Sequence, residues 1–93
     1  MHELVIRGAT LVDGTGAARR TTDVAVDGDR IADVGKSLPA GRREMQADGL
    51  LLTPGWVDIH THYDGQATWD PYLTPSSWHG GTTAVFGNCG VGF

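Results

Sequence analysis

At Thr53-Pro54-Gly55 the pattern of the chain changes, and this change constrains the fold more than any other feature of the sequence. Before it, short runs rich in β-branched residues alternate with turn-forming residues. After it, an unbroken apolar run leads into a loop and then into a second apolar run. Alternation suits a sheet with one wet face, whereas a continuous apolar run suits a strand covered on both faces in a parallel sheet. The length, 93 residues, leaves room for one compact core at most.

In the first half the strand candidates are residues 3–7, 10–12, 22–26, 30–35 and 50–53, each bounded by turn signals. Asp27-Gly28-Asp29 joins two of them, because an Asp-Gly pair supplies the positive φ of a tight hairpin. A small antiparallel or mixed sheet is the expected product. Asp13-Gly14-Thr15-Gly16 and Pro39-Ala40-Gly41 mark loops. The glycines between Gly8 and Gly16 do not form a phosphate cradle, since neither a lysine nor a helix signal follows them.

In the second half, residues 56–60 (Trp-Val-Asp-Ile-His) read as a strand ending in polar groups, and residues 82–87 (Thr-Thr-Ala-Val-Phe-Gly) as another. Between them residues 74–79 fit a short helix with Thr74 as N-cap and Pro75 at the first helical position. Strand, crossover and strand together predict two adjacent parallel strands. The fold class is therefore mixed α/β, with a small β-sheet over residues 1–53 and a βαβ unit over 54–93.

Composition removes several classes of function. A hydrophobic fraction of 40%, a charged fraction of 19% and a net charge of −4 describe an ordinary soluble chain without an acidic tail. The seven Lys and Arg residues are scattered apart from Arg19-Arg20 and Arg42-Arg43, and no basic-aromatic platform accompanies them, so nucleic acid is not an expected partner. The start Met1-His2-Glu3-Leu4 lacks the basic and apolar parts of a secretory signal, and no apolar run approaches the ~20 residues of a membrane span. Cys89 is the single cysteine, which excludes an internal disulfide and points to a reducing compartment, with the cytoplasm as default.

The chemistry-bearing residues gather in the second half. His60 and His62 are two apart at the end of a predicted strand, so period-2 alternation sends both imidazoles to one side, about 6.6 Å apart along the chain. That spacing suits two ligands of one ion such as zinc. On spacing alone a His-x-His pair is more often a chance surface pair; its context favours a half-site. Asp58 lies on the same face, and three polar groups there need partners. Asp58 is read first as an acceptor that orients a histidine and second as a ligand.

Cys89, in Gly87-Asn88-Cys89-Gly90, follows the second strand and emerges at the same sheet edge if the strands are parallel neighbours. A thiolate there could complete a metal site; the bland alternative is a buried small hydrophobe. Asp64 and Asn88 are candidates for contact with substrate or for orienting a ligand, Asp64 because it sits on the loop directly after the histidines. His79 reads as a helix-surface or interface residue and His2 as a mobile terminal one, neither with a partner. Trp56, Trp69, Trp78, Tyr63 and Tyr72 read as core and loop packing.

Taken together, Leu52-Thr53-Pro54-Gly55-Trp56-Val57-Asp58-Ile59-His60-Thr61-His62 closely resembles the start of the catalytic domain of the amidohydrolase superfamily. The preceding fifty residues, with Asp27-Gly28-Asp29-Arg30-Ile31-Ala32-Asp33-Val34-Gly35, resemble the β-sheet domain before it. His62-Tyr63-Asp64-Gly65-Gln66 and Asn88-Cys89-Gly90-Val91-Gly92-Phe93 are similar to the D-aminoacylase branch, the N-acyl-D-amino-acid deacylases. The resemblance implies a small β-sandwich domain beginning in residues 1–53 and, in 54–93, the first two strands of a (β/α)8 barrel. It further implies zinc as cofactor, with His60, His62 and Cys89 as ligands, and a small-molecule N-acyl-D-amino acid as substrate. The catalytic aspartate and two further histidines of that pattern are not in this sequence, so it contains no catalytic residue.

A closed eight-stranded barrel takes about 250 residues. The chain is accordingly expected to be an N-terminal fragment, inactive by itself and prone to self-association through open strand edges. Two alternatives stand beside the deacylase reading: a cyclic-amide amidohydrolase of the hydantoinase or dihydroorotase kind, and a non-catalytic β module that binds no metal.

Overall fold

Aliphatic residues on both sides of Gly8 make a single strand, β1 (Leu4–Leu11), and the first sheet forms around it. The computed structural model describes residues 1–87. β1 pairs antiparallel with β2 (Arg20–Asp27), with Leu4 opposite Val26 and Leu11 opposite Arg20. β2 pairs antiparallel with β3 (Arg30–Gly35). On its other edge β1 pairs parallel with β4 (Arg43–Gln46) and, further along, with β5 (Leu51–Leu52).

The expected break between residues 7 and 10 is a bulge inside one strand. Gly8 takes φ 67° there, and its N–H donates to Asp23 Oδ1 at 2.9 Å, so pairing resumes at Ala9. The Gly28-Asp29 turn joins β2 to β3 as expected, although among its residues only Gly28 has positive φ, at 58°. β4 has no counterpart among the predicted strands. It carries Arg-Glu-Met-Gln, is exposed along its length, and lacks the apolar pattern on which such predictions rest.

Besides its backbone ladder to β1, β4 is held by charge. Arg7 on β1 makes a two-pronged contact with Glu44, Nε to Oε1 at 3.1 Å and Nη2 to Oε2 at 3.0 Å, while Nη1 donates to Asp23 Oδ2 at 3.0 Å and to the Leu38 carbonyl. One guanidinium thus ties β1, β2, β4 and the loop before β4. Its pKa is raised, first by the hydrogen bond to Glu44 and then by that to Asp23. Val5, Ala9, Ala25, Val24 and Ala47 form the core of this sheet. His2 is not free as expected, since its Nδ1 lies 2.6 Å from Asp27 Oδ2.

The chain divides between Pro54 and Gly55 into two compact units, where the length suggested one core. The second unit has its own two-stranded parallel sheet, β6 (Trp56–Asp58) with β7 (Gly81–Ala84). Both strands are shorter than the apolar runs that announced them. They are also largely exposed rather than covered on both faces, with Trp56 59% and Val57 58% accessible.

The crossover holds no α-helix, which corrects the α part of the mixed α/β class: it contains two single turns of 3-10 helix, Gln66–Thr68 and Ser76–His79. Thr74 does not cap the second turn. Its hydroxyl donates to Asp70 Oδ2 at 2.9 Å instead, Pro75 occupies the cap position, and Gly80 ends the turn at φ 87°. His79 is exposed at the end of that turn, as expected. Among the described residues no helix is long and apolar enough to cross a membrane.

Candidate metal centre

The backbone between β6 and the following loop is pinned at Thr61. Its N–H and its hydroxyl both donate to the Val85 carbonyl, at 3.0 and 2.9 Å, and the residue is 6% exposed. Anchoring the middle residue inward turns its two neighbours outward. His60 and His62 are accordingly both exposed, with ring centroids 5.5 Å apart and planes tilted by 49°. They do not lie on a strand, which ends at Asp58, so the anchor at Thr61 rather than a pleat places them side by side.

Asp58 orients this turn through the backbone. Its Oδ1 accepts the His60 N–H at 3.1 Å, an Asx-type contact two residues on. The histidines, Asp58, Tyr63, Gln66 and Ser76 border a cleft of about 320 Å³. Tyr63 Oη donates to Ser76 Oγ at 2.8 Å and accepts the Ser76 N–H at 3.2 Å, closing one side of the cleft. Among the tryptophans and tyrosines Tyr63 is buried, whereas Trp56, Trp69, Trp78 and Tyr72 are exposed, so the expectation of packing holds for Tyr63 alone.

Asp70 organises the loop that carries this side, and sequence reasoning passed over it. Its Oδ2 accepts from Gln66 Nε2 at 2.8 Å and from the Thr74 N–H and hydroxyl, each at 2.9 Å; its Oδ1 accepts the Tyr72 N–H at 3.0 Å. Gln66 Nε2 also donates to the Thr74 carbonyl at 2.6 Å. These donors, Gln66 first, hold the carboxyl at about 2. The signal was present in Asp70-Pro71, because an aspartate before proline favours a turn closed by its own side chain.

Asp64 is buried, at 4% exposure, and its Oδ1 has no hydrogen-bond partner among the described residues. It does not border the cleft. Asn88 and Cys89 lie outside the described residues. Among the described residues no three His, Cys, Asp or Glu side chains are grouped to hold a metal ion. The histidine pair nonetheless fits one: imidazoles bound at about 2.0–2.1 Å to one tetrahedral ion have ring centres ~5 Å apart, close to the observed 5.5 Å.

No protein-family model matches the chain. It is 44% identical over 90 residues to an N-acyl-D-aspartate deacylase of Alcaligenes xylosoxydans xylosoxydans, a match covering 96% of this chain and 18% of the relative. A solved structure of D-aminoacylase, described with a binuclear metal centre, superposes with a TM-score of 0.87 at 41% identity, over 99% of this chain and 20% of the other. The N-acyl-D-glutamate deacylase of Bordetella bronchiseptica, solved with zinc and a phosphonate that mimics a tetrahedral intermediate, gives 0.83 at 38% identity, over 98% and 19%. The chain thus spans about one fifth of the relatives it matches.

Proposed function

Because the chain is homologous along its whole length to the N-terminal part of the D-aminoacylases, within the amidohydrolase superfamily, we propose that it forms the opening part of a zinc-dependent hydrolase site. The protein to which this site belongs hydrolyses the linear amide bond of N-acyl-D-amino acids. The observation that carries the reading is the histidine pair, 5.5 Å apart on the rim of an open cleft. In this reading His60 and His62 supply imidazole ligands and Cys89 a thiolate. When bound, zinc polarises an acyl carbonyl and lowers the pKa of its water towards about 7.

The residues present do the holding. Thr61 fixes the turn, Asp58 orients His60 through its N–H, and the Tyr63-Ser76 contact shapes the cleft wall beside the imidazoles. Residues 1–53 are read as the start of a small β domain and residues 54–93 as the first two strands of a (β/α)8 barrel, with β6 and β7 as those strands. The proton-shuttling aspartate belongs to a later barrel strand, so the 93 residues alone hydrolyse nothing and associate through their open strand edges. A cytoplasmic setting belongs to the same reading, supported by the single cysteine of the sequence.

Zinc content and hydrolysis of N-acetyl-D-amino acids, measured on the full-length protein and its His60→Ala, His62→Ala and Cys89→Ala variants, test this reading. Each variant is expected to lose tightly held zinc and at least about a hundredfold of activity. Full zinc retention by Cys89→Ala, or turnover of cyclic amides alone, would refute the deacylase assignment.

A further inference from the structure

Gln66 borders the cleft together with His60 and His62 and is half-buried there. One end of its amide meets Asp70 Oδ2 at 2.8 Å and the Thr74 carbonyl at 2.6 Å. A carboxyl group held at about 2 is ionised at neutral pH, and it and a backbone carbonyl can only accept. The end that faces them is therefore Nε2, so chemistry alone settles which amide atom is which. Asp70 is fixed in turn by the Tyr72 and Thr74 N–H groups and the Thr74 hydroxyl. Gln66 is thus oriented before any ligand arrives, and the polar atom it can offer the cleft is Oε1, a neutral acceptor.

The other groups around the cleft have different commitments. The Tyr63 hydroxyl and Ser76 satisfy each other, Asp58 Oδ1 accepts the His60 N–H, and in the hydrolase reading the imidazoles belong to the metal. A secondary amide entering the cleft brings one donor, its N–H, and stripping water from that donor is costly unless an acceptor takes the water's place. Resting on the hydrolase reading, we propose that Gln66 is a substrate-contact residue whose Oε1 accepts the N–H of the scissile amide. In a trans amide the N–H and the C=O point in opposite directions, so a hold on the N–H also aims the carbonyl away from Gln66. Asp70 and the Thr74 carbonyl are the positioning groups. They keep the Gln66 amide from turning over, which would set its own N–H groups against that of the substrate.

The test uses the full-length zinc protein and two substrates of one shape, an N-acyl-D-amino acid and the matching 2-acyloxy acid, in which an ester oxygen replaces the N–H. Gln66→Leu and Gln66→Met are expected to lower the amide-to-ester ratio of kcat/KM about 3- to 12-fold, the worth of one neutral hydrogen bond. A role in the fold alone, or in placing the attacking water, would slow both substrates equally, and an unchanged ratio in either folded variant overturns the proposal. Calorimetry with a matched pair of phosphorus inhibitors, one with P–N–H and one with P–O in its place, makes the same comparison without turnover. The parent is expected to bind the N–H member more tightly by a similar factor; equal binding overturns the proposal, and this measurement decides if neither variant folds. A parent that hydrolyses no N-acyl-D-amino acid removes the hydrolase reading and the contact with it, whereas an active parent beside variants of unchanged ratio removes the contact alone.

Discussion

Gly55 is the most tightly enclosed of the described glycines in the second unit, and Gly55→Ala tests whether the approach of β6 to β7 is as close as the structure has it. A Cβ at position 55 would stand 2.7 Å from Thr82 Cβ and nearer still to Thr82 Cγ2 and Oγ1. Rotating the threonine moves the two outer atoms but not its Cβ, which is bonded to the backbone of β7. Comfortable carbon-carbon separations begin at about 3.5 Å, so the two segments must part by nearly ~1 Å. Overpacking of this kind costs about 1–3 kcal/mol. The hydrogen bonds nearest the strain are Trp56 N–H to the Gly80 carbonyl at 2.8 Å, Val85 N–H to Asp58 at 2.8 Å, and Thr61 N–H to Val85 at 3.0 Å. Their amides are expected to exchange about 5- to 150-fold faster in the variant. The Thr10 and Val12 amides, bonded to Leu50 and Leu52 in the first unit, serve as controls and should not change. In a Thr82→Gly background, where no Cβ remains to be struck, most of the effect of Gly55→Ala should vanish. Parental exchange in Gly55→Ala, or an equal effect in both backgrounds, would show that the contact is not what requires glycine.

The remaining predictions concern burial and charge. Asp70→Asn replaces an acceptor of four hydrogen bonds by an amide that cannot satisfy them all, so the Tyr72 and Thr74 amides should lose exchange protection while those of the first unit keep it. Because Asp70 is held at about 2 instead of 3.8, the folded state favours its charged form. The stabilisation from this group is complete above about pH 4, declines as pH falls, and is gone below about pH 2, a dependence that Asp70→Asn should lack; acid titration of the carboxyl carbon signal checks the value. Val5→Ala removes two methyl groups from a fully buried position near the start of β1, and a loss of about 1–3 kcal/mol is expected, read as a fall of several degrees in the thermal midpoint.

How far the sequence spoke for the fold depended on which force shapes each element. The hairpin at Gly28-Asp29, the two halves of the central strand though not their continuity through Gly8, and the parallel pair of β6 with β7 were legible because local turn chemistry and β-branched patterning dictate them. β4 was not, because a strand bound by Arg7 to Glu44 across 37 positions leaves no local periodicity. The helix expected at 74–79 failed for a related reason. Thr74 and Pro75 make an adequate start, but Asp70 takes the Thr74 hydroxyl, and a single 3-10 turn is what the remaining residues can form.

The site divides along the same line. That His60 and His62 share a side was legible, but the reason given, a strand pleat, was not the one that operates: β6 stops at Asp58, and the pair is set by what lies between its members. Thr61 looks like a neutral spacer in a His-x-His motif, yet its N–H and hydroxyl both donate to the Val85 carbonyl, which links the histidine turn to the end of β7. Asp64, on the loop after the histidines, lies against Gly87, three residues past the end of β7. Thr61, which no list of metal ligands would name, thus carries the geometry between the histidine turn and the end of β7. A motif search weighs the imidazoles and the thiol because their chemistry is conspicuous. The placing of the imidazoles depends on a hydroxyl whose value emerges only when the parallel strands are in register.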